Sequence, residues 1–211
     1  KGKINLIGVT NFDADHLTEL CGVCDIASAQ IQFSLLDTRA AGDFAKAALD
    51  NNVSLLVYGT LAGGFLTDAW INRPDPGFEF ENRSLVKYRL ITDEFGGWDL
   101  FQSLLQALNG IARRQNADIS TVAIRAMLDN SDVTAVIVGA RYADRLQHTL
   151  RAFKIKMNAD DRISLQRVLD QRQGPHGPVF SLERDTEGVH GRIMKYNLNK
   201  GDNHIMAGGA S

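Results

Sequence analysis

Cysteine is scarce in this chain, and two residues in 211 exclude a fold stapled together by disulfides. An excess of charge is missing as well: the net charge is −2, with acids and bases mixed along the sequence. Such a balance leaves no electrostatic footprint for nucleic acid and no polybasic patch for a membrane surface. No apolar run approaches the length of a membrane span, and the N-terminus lacks a signal-peptide pattern. These absences make a reducing, cytoplasmic compartment the default, with neither nucleic acid nor membrane as partner. What is present is 44% hydrophobic residues, enough for a sizeable core in one domain. The chain opens on Lys1 and runs almost at once into a strand, as expected of a piece cut from something longer.

Residues 3–11, KINLIGVTN, are β-branched and apolar and predict a strand buried on both faces. Asp13 then caps an amphipathic helix that ends near Gly22. ASAQIQFSLL (27–36) is the second strand, GDFAKAALDNN the next helix, and VSLLVY the third strand. Residues 61–97, rich in Pro, Gly and aromatics, read as one long connection, and loops of that length in compact domains are usually functional. Helices follow at WDLFQSLLQALNGIARRQN and from Ser120 to near Asn130, then a fourth strand, TAVIVG (134–139). Two more helices, ADRLQHTLRAF and DDRISLQRVLDQR, close residues 1–173. A tail, 174–211, holds Gly, His and charged residues and then the irregular RIMKYNLNKGDNHIMAGGAS, and its last ten or so residues are expected to be disordered.

Strand and helix alternating at this spacing imply right-handed βαβ units and a parallel sheet. Four such units are about half of a (β/α)8 TIM-type barrel, which typically takes ~250 residues; a small open doubly wound sheet is the alternative. In ASAQIQFSLL, Ile31, Phe33 and Leu35 point one way and Gln30, Gln32 and Ser34 the other. A buried glutamine needs hydrogen-bond partners, which a ligand at a barrel mouth can supply. Thr10-Asn11, Gln32, Tyr58 and Gly139-Ala140-Arg141 all fall at strand ends, on the C-terminal rim where barrel enzymes keep their chemistry. Singly, each has a plain explanation as turn, packing or bend residue. Together they suggest a nucleotide site.

GKINLIGVTNFDADHL, IQFSLLD, VYGTLAGGFL and VTAVIVGARYADRLQHTL resemble consecutive signatures of the aldo-keto reductase family, in order and at the right spacing over most of residues 1–155. The resemblance implies the fifth to eighth strands of a (β/α)8 barrel, that is, the C-terminal half of one, binding extended NADP(H). By matched position, Thr10, Asn11 and Gln32 would hold the nicotinamide carboxamide, which offers both donor and acceptor. Tyr58 would stack on the nicotinamide ring. Gly59, Thr60, Leu61, Gly63 and Gly64 would bring backbone close to the pyrophosphate, an approach eased where no Cβ intervenes. Gly139, Ala140, Arg141 and Arg145 would complete the cofactor site, the two arginines meeting the adenosine 2′-phosphate at a helix start and so favouring NADP over NAD.

The chain departs from the family in carrying His148 and Thr149 where Glu and Asn are frequent, at positions that contact the adenine. More consequential, the family's catalytic aspartate, tyrosine, lysine and histidine lie on the first four strands, and nothing here corresponds to them. His16 and His148 fall in helices, and His176, His190 and His204 in the tail, none at a strand end beside Tyr58. No catalytic residue is therefore assigned, and the chain alone is expected to be inactive. The parent would reduce a small-molecule carbonyl to an alcohol, or run the reverse. Two other readings are a non-catalytic NADP-binding regulatory subunit of the same family and a half-barrel that self-associates through unpaired strand edges.

Two further motifs have plain readings. Cys21-Gly22-Val23-Cys24 is a CxxC at a helix C-terminus, where the dipole disfavours thiolate, and only His16 is near in sequence to add a zinc ligand. Packing is the expectation there. Trp70, Phe78, Phe80 and Trp98 read as the mini-core of an insertion, with a flap over the cofactor as the functional alternative.

Overall fold

A computed structural model of the chain describes residues 2–140, 143 and 145–194. Four parallel strands form its sheet in the order β1-β2-β3-β4: β1 Gly8–Thr10, β2 Ser28–Gln32, β3 Ser54–Tyr58 and β4 Val133–Val136. Helix α1 (Ala14–Cys21) links β1 to β2, and α2 (Asp43–Asp50) links β2 to β3. Between β3 and β4 lie α3 (Arg83–Arg114) and α4 (Ile119–Leu128). Beyond the sheet come α5 (Arg145–Leu150), α6 (Ala159–Leu169), α7 (Val179–Arg184) and α8 (Val189–Met194). This is an α/β fold built on a parallel sheet.

Period-two alternation decides which residues meet the helices. Ala29, Ile31, Leu55, Val57 and Val133 are buried in one core with Leu17 of α1, Phe44 and Ala48 of α2, and Leu104, Leu105, Leu108 and Ile111 of α3. Register places Thr10, Gln30 and Leu56 level with one another on the opposite face, with Ala135 beside Leu56. There Thr10 and Gln30 are exposed, while Leu56 and Ala135 are half-buried. Parallel sheets are ordinarily covered on both faces, so this second face is open to an unusual degree.

Local signals set the helix ends. Asp13, Asn82, Asp118 and Asn158 each turn a side-chain oxygen to a backbone N–H of the first turn, and at Asn158 the reciprocal bond with Asp161 completes a capping box.

The structure corrects several sequence expectations. The strand expected over residues 3–11 is only three residues long and is not buried, with Ile4 and Leu6 74% and 75% exposed. Among the described residues one flank of β1 has no neighbouring strand and its second face no cover, which leaves those side chains exposed. The connection expected at 61–97 is irregular only to Asn82 and helical from Arg83, with the ladder interrupted at Gly96 and Gly97, whose φ values are positive. Those glycines mark a kink between two helical segments. The tail from Gly174, where no helix is expected, carries α7 and α8, and α8 runs to Met194, into the stretch expected to be irregular from Arg192. The disorder expected at its last ten residues lies outside the described residues.

The aromatic insertion packs on itself, as the plain reading had it. Phe65 stacks on Trp70 at 4.8 Å and meets Phe80 and Trp98 edge-on. Buried Arg89 lies 5.1 Å from the Phe78 ring and 5.3 Å from the Trp98 ring, paired with Asp75 and Asp93.

Candidate functional site

The C-terminal ends of β1, β2 and β3 bring three of the expected residues together. Asn11 follows β1 directly, with its N–H on the Gln30 carbonyl and a φ of 56°, a conformation asparagine tolerates. Its Oδ1 accepts a 2.6 Å hydrogen bond from the Tyr58 hydroxyl at the end of β3. Gln32, at the end of β2, is level with Tyr58 and fully buried. Burial pushes the Tyr58 hydroxyl up to about 12, outweighing the opposing effect of its bond to Asn11.

The turn after β3 answers to a residue that sequence reasoning missed. A Cβ on Gly59 would stand 2.5 Å from the Tyr88 hydroxyl, and one on Gly63 would stand 2.6 Å from the Tyr88 ring. At both positions the missing side chain makes room for Tyr88 of α3, whereas the same space at Gly64 is open. The Tyr88 hydroxyl is also pushed up, first by burial and then by Tyr58. Thr60 is buried and its hydroxyl has no partner; Leu61 is half-buried.

The other expected residues stand apart from this cluster or beyond description. Thr10, Gly139 and Ala140 are exposed at their strand ends, and Arg145 is exposed at the start of α5. Arg141 lies outside the described residues. His148, on α5, has Nδ1 3.2 Å from Oδ2 of Asp118, the cap of α4. Cys21 and Cys24 are free and half-buried, and the Cys21 thiol is pushed up by burial and then by Cys24. Among the described residues no group of three or more His, Cys, Asp or Glu side chains is placed to hold a metal.

Beneath Gln32 lies a charged network that the sequence reading left out. Gln32 Nε2 donates to Asp37 Oδ2 at 2.5 Å, and the Arg39 guanidinium forks onto the Asp37 carboxylate at 2.9 and 2.7 Å. Lys87 pairs with Glu183 at 2.8 Å, and His190 with Glu94 at 2.8 Å, fastening α7 and α8 to α3. Among the described residues four buried polar atoms lack partners: Gln32 Oε1, Arg39 Nη1, Thr60 Oγ1 and Glu94 Oε2. Two of them, on Gln32 and Thr60, belong to the strand-end cluster. Buried polar groups are nearly always satisfied, so these are positions where a bound molecule could supply the missing bonds.

The model of the aldo/keto reductase family matches residues 1–170. The chain belongs to the aldo/keto reductase family. The NADH-specific methylglyoxal reductase of Escherichia coli (strain K12) is 23% identical over 170 residues, covering 81% of this chain and 50% of that protein. Aldo-keto reductase YhdN of Bacillus subtilis (strain 168) is 24% identical over 193 residues, covering 89% of this chain and 56% of the relative. The glycerol dehydrogenase AKR11B4 from Gluconobacter oxydans shares the fold with a TM-score of 0.69 at 21% identity, over 84% of this chain and 53% of that one. The chain thus spans about half the length of the relatives it matches. No helix among the described residues is long and apolar enough to cross a membrane.

Proposed function

We propose that this chain is the C-terminal, cofactor-binding half of a (β/α)8 aldo-keto reductase barrel that uses NADP(H) to interconvert a small-molecule carbonyl and its alcohol. One observation carries the reading: Asn11, Gln32 and Tyr58 meet at the C-terminal edge of a parallel sheet, with a buried amide oxygen left unpartnered. The fit to a nicotinamide is chemical. Gln32 Oε1 can accept from a carboxamide N–H, the Thr60 hydroxyl is free to bond, and the half-buried Tyr58 ring offers an apolar face held in place by Asn11. A reduced nicotinamide, when bound, supplies hydride to a carbonyl carbon.

The chain's own side chains do the holding. A general acid works best with a pKa near the working pH. Tyr58, held near 12, and Tyr88, also raised, therefore make poor proton donors at neutrality. The proton is assigned to a group from the barrel's other half. NADP rather than NAD rests on Arg141 and Arg145, although the Escherichia coli relative is named NADH-specific.

Titrating the chain with NADPH and NADH, followed by protein fluorescence, tests the reading, and saturable quenching is expected. Absence of binding by both would overturn it. With NADPH and a panel of aldehydes, the chain alone should show background oxidation only. Steady turnover abolished by Tyr58→Phe or Tyr88→Phe would show that the acid lies in this chain after all.

A further inference from the structure

Asp37 and Arg39 make none of the proposed cofactor contacts, yet they are built into the site's foundation. Asp37 is 1% exposed and the Arg39 side chain 4%. The guanidinium approaches the carboxylate as a fork, Nε on Oδ1 and Nη2 on Oδ2. A carboxylate so held accepts hydrogen bonds and donates none. It therefore fixes which end of the Gln32 amide it meets: the Nε2 group must face Asp37, at 2.5 Å, and Oε1 must face the other way. Without such a partner the two ends of a glutamine amide are nearly interchangeable. Gln32 Oε1 is left buried and unpartnered, and its Cγ lies 3.2 Å from where a Cβ of Gly59 would stand, next to the turn that carries Thr60.

We infer that Asp37, clamped by Arg39, is a positioning residue that holds the Gln32 amide with its oxygen toward the ligand, so that the site selects a ring substituent with an N–H donor. This rests on the proposed nicotinamide site. It predicts a discrimination that a site with a freely turning amide would lack, because such an amide could offer oxygen or nitrogen as the ligand required.

The probe is a pair of reduced dinucleotides differing at one group: NADPH, and its 3-acetylpyridine analogue, in which methyl replaces the carboxamide NH2. Dissociation constants are measured by fluorescence on the full chain. The unmodified chain should prefer NADPH by roughly 5-fold or more, because the analogue leaves the buried Gln32 oxygen unpaired. In Asp37→Asn the new amide can donate, the Gln32 amide can turn round, and the preference should fall to within about 2-fold. A merely structural role for Asp37 would weaken both dinucleotides alike and leave the ratio unchanged, which would overturn the inference. Should Asp37→Asn fail to fold, Asp37→Ser, whose hydroxyl can also donate to the Gln32 amide, should show the same narrowing of the ratio. Equal affinities in the unmodified chain would overturn the inference with no variant needed. Failure of both dinucleotides to bind would instead bring down the proposed function.

Discussion

A single methyl group at Gly59 should separate two costs that the structure places on one residue. Gly59 has a φ of 70°, a conformation that costs a non-glycine residue about 1–2 kcal/mol. Its new Cβ would also stand 2.5 Å from the Tyr88 hydroxyl, 3.2 Å from Gln32 Cγ and 3.3 Å from Tyr88 Cζ. Both neighbours are packed in place, so the overlap adds about 1–3 kcal/mol, as overpacking usually does. Gly59→Ala should therefore lose about 2–5 kcal/mol, a large share of the roughly 5–15 kcal/mol a domain commands. Tyr88→Phe deletes the atom at 2.5 Å and leaves the backbone strain untouched. In the Gly59→Ala background it should restore about 1–2 kcal/mol, and alone it should not stabilise the chain. Urea unfolding of the four chains, at one protein concentration and followed by far-UV circular dichroism, yields the coupling energy directly. A coupling of zero would refute the account of why glycine occupies this turn.

Two other perturbations address the cap of α4 and the cofactor's phosphate. Bonds from Thr121, Ser120 and His148 hold the Asp118 carboxyl below its ordinary 3.8 despite the opposing effect of burial. A depressed folded-state value means stability that is present above pH 3.8 and lost as pH falls through the lower value. Asp118→Ala should accordingly cost about 1–2 kcal/mol at pH 7, and the gap to the unmodified chain should narrow below that pH; a gap independent of pH would exclude the ionised cap. Replacing Arg141 and Arg145 together with alanine should abolish a preference for NADPH over NADH, since charge-assisted bonds to phosphate are the strong kind. Equal affinities of the unmodified chain for the two dinucleotides would remove both arginines from the site.

The elements legible in the sequence are those whose signals are local. β3 and α2 announce themselves by an apolar run and by helical spacing, and the structure places them within a residue or two of expectation. Strand β1 carries the same apolar signal and is nevertheless exposed, because burial of a strand depends on a neighbour and a covering layer, neither of which is written in the strand itself. The helical stretch from Arg83 to Phe95 was obscured by the Gly-Gly pair after it, which reads as loop but acts as a kink. Within the site, Asn11, Gln32 and Tyr58 were visible as polar residues at strand ends. Asp37, Arg39 and Tyr88 were not. The two charges sit past the end of β2, where an acid and a base look like surface, and only the folded chain shows them buried against each other. Tyr88 reaches the site from a helix distant in sequence. Its one local trace was the pair Gly59 and Gly63, which registered as room for a phosphate.

The open face of the sheet leads to a prediction about assembly. Four strands about 4.8 Å apart, with up to five residues rising roughly 3.3 Å each, present a face of about 300 Å² in projection. Two such faces laid together would cover about 600 Å², short of the roughly 1,200 Å² of a standard stable interface. Face-to-face pairing alone therefore cannot give a tight dimer. Among the described residues the outer flanks of β1 and β4 have no strand beside them, and neither strand carries the proline or inward charge with which natural edges protect themselves. Beside them Ile4, Leu6, Ile7 and Ile137 are exposed, so apolar surface continues past the sheet at both ends. At ~25 cal/mol per Å², water contact over some 300 Å² of such surface costs several kcal/mol, comparable with a domain's net stability. The expected behaviour of this chain is self-association that grows with concentration, through edges and open face together, rather than a fixed stoichiometry. Sedimentation velocity across a hundredfold dilution should show the mean mass falling continuously, and near-UV circular dichroism should lose intensity as it falls. A single sharp monomer boundary at every concentration, with a full near-UV spectrum and cooperative unfolding, would show that the chain tolerates its open sheet and that neither the face nor the edges govern its state.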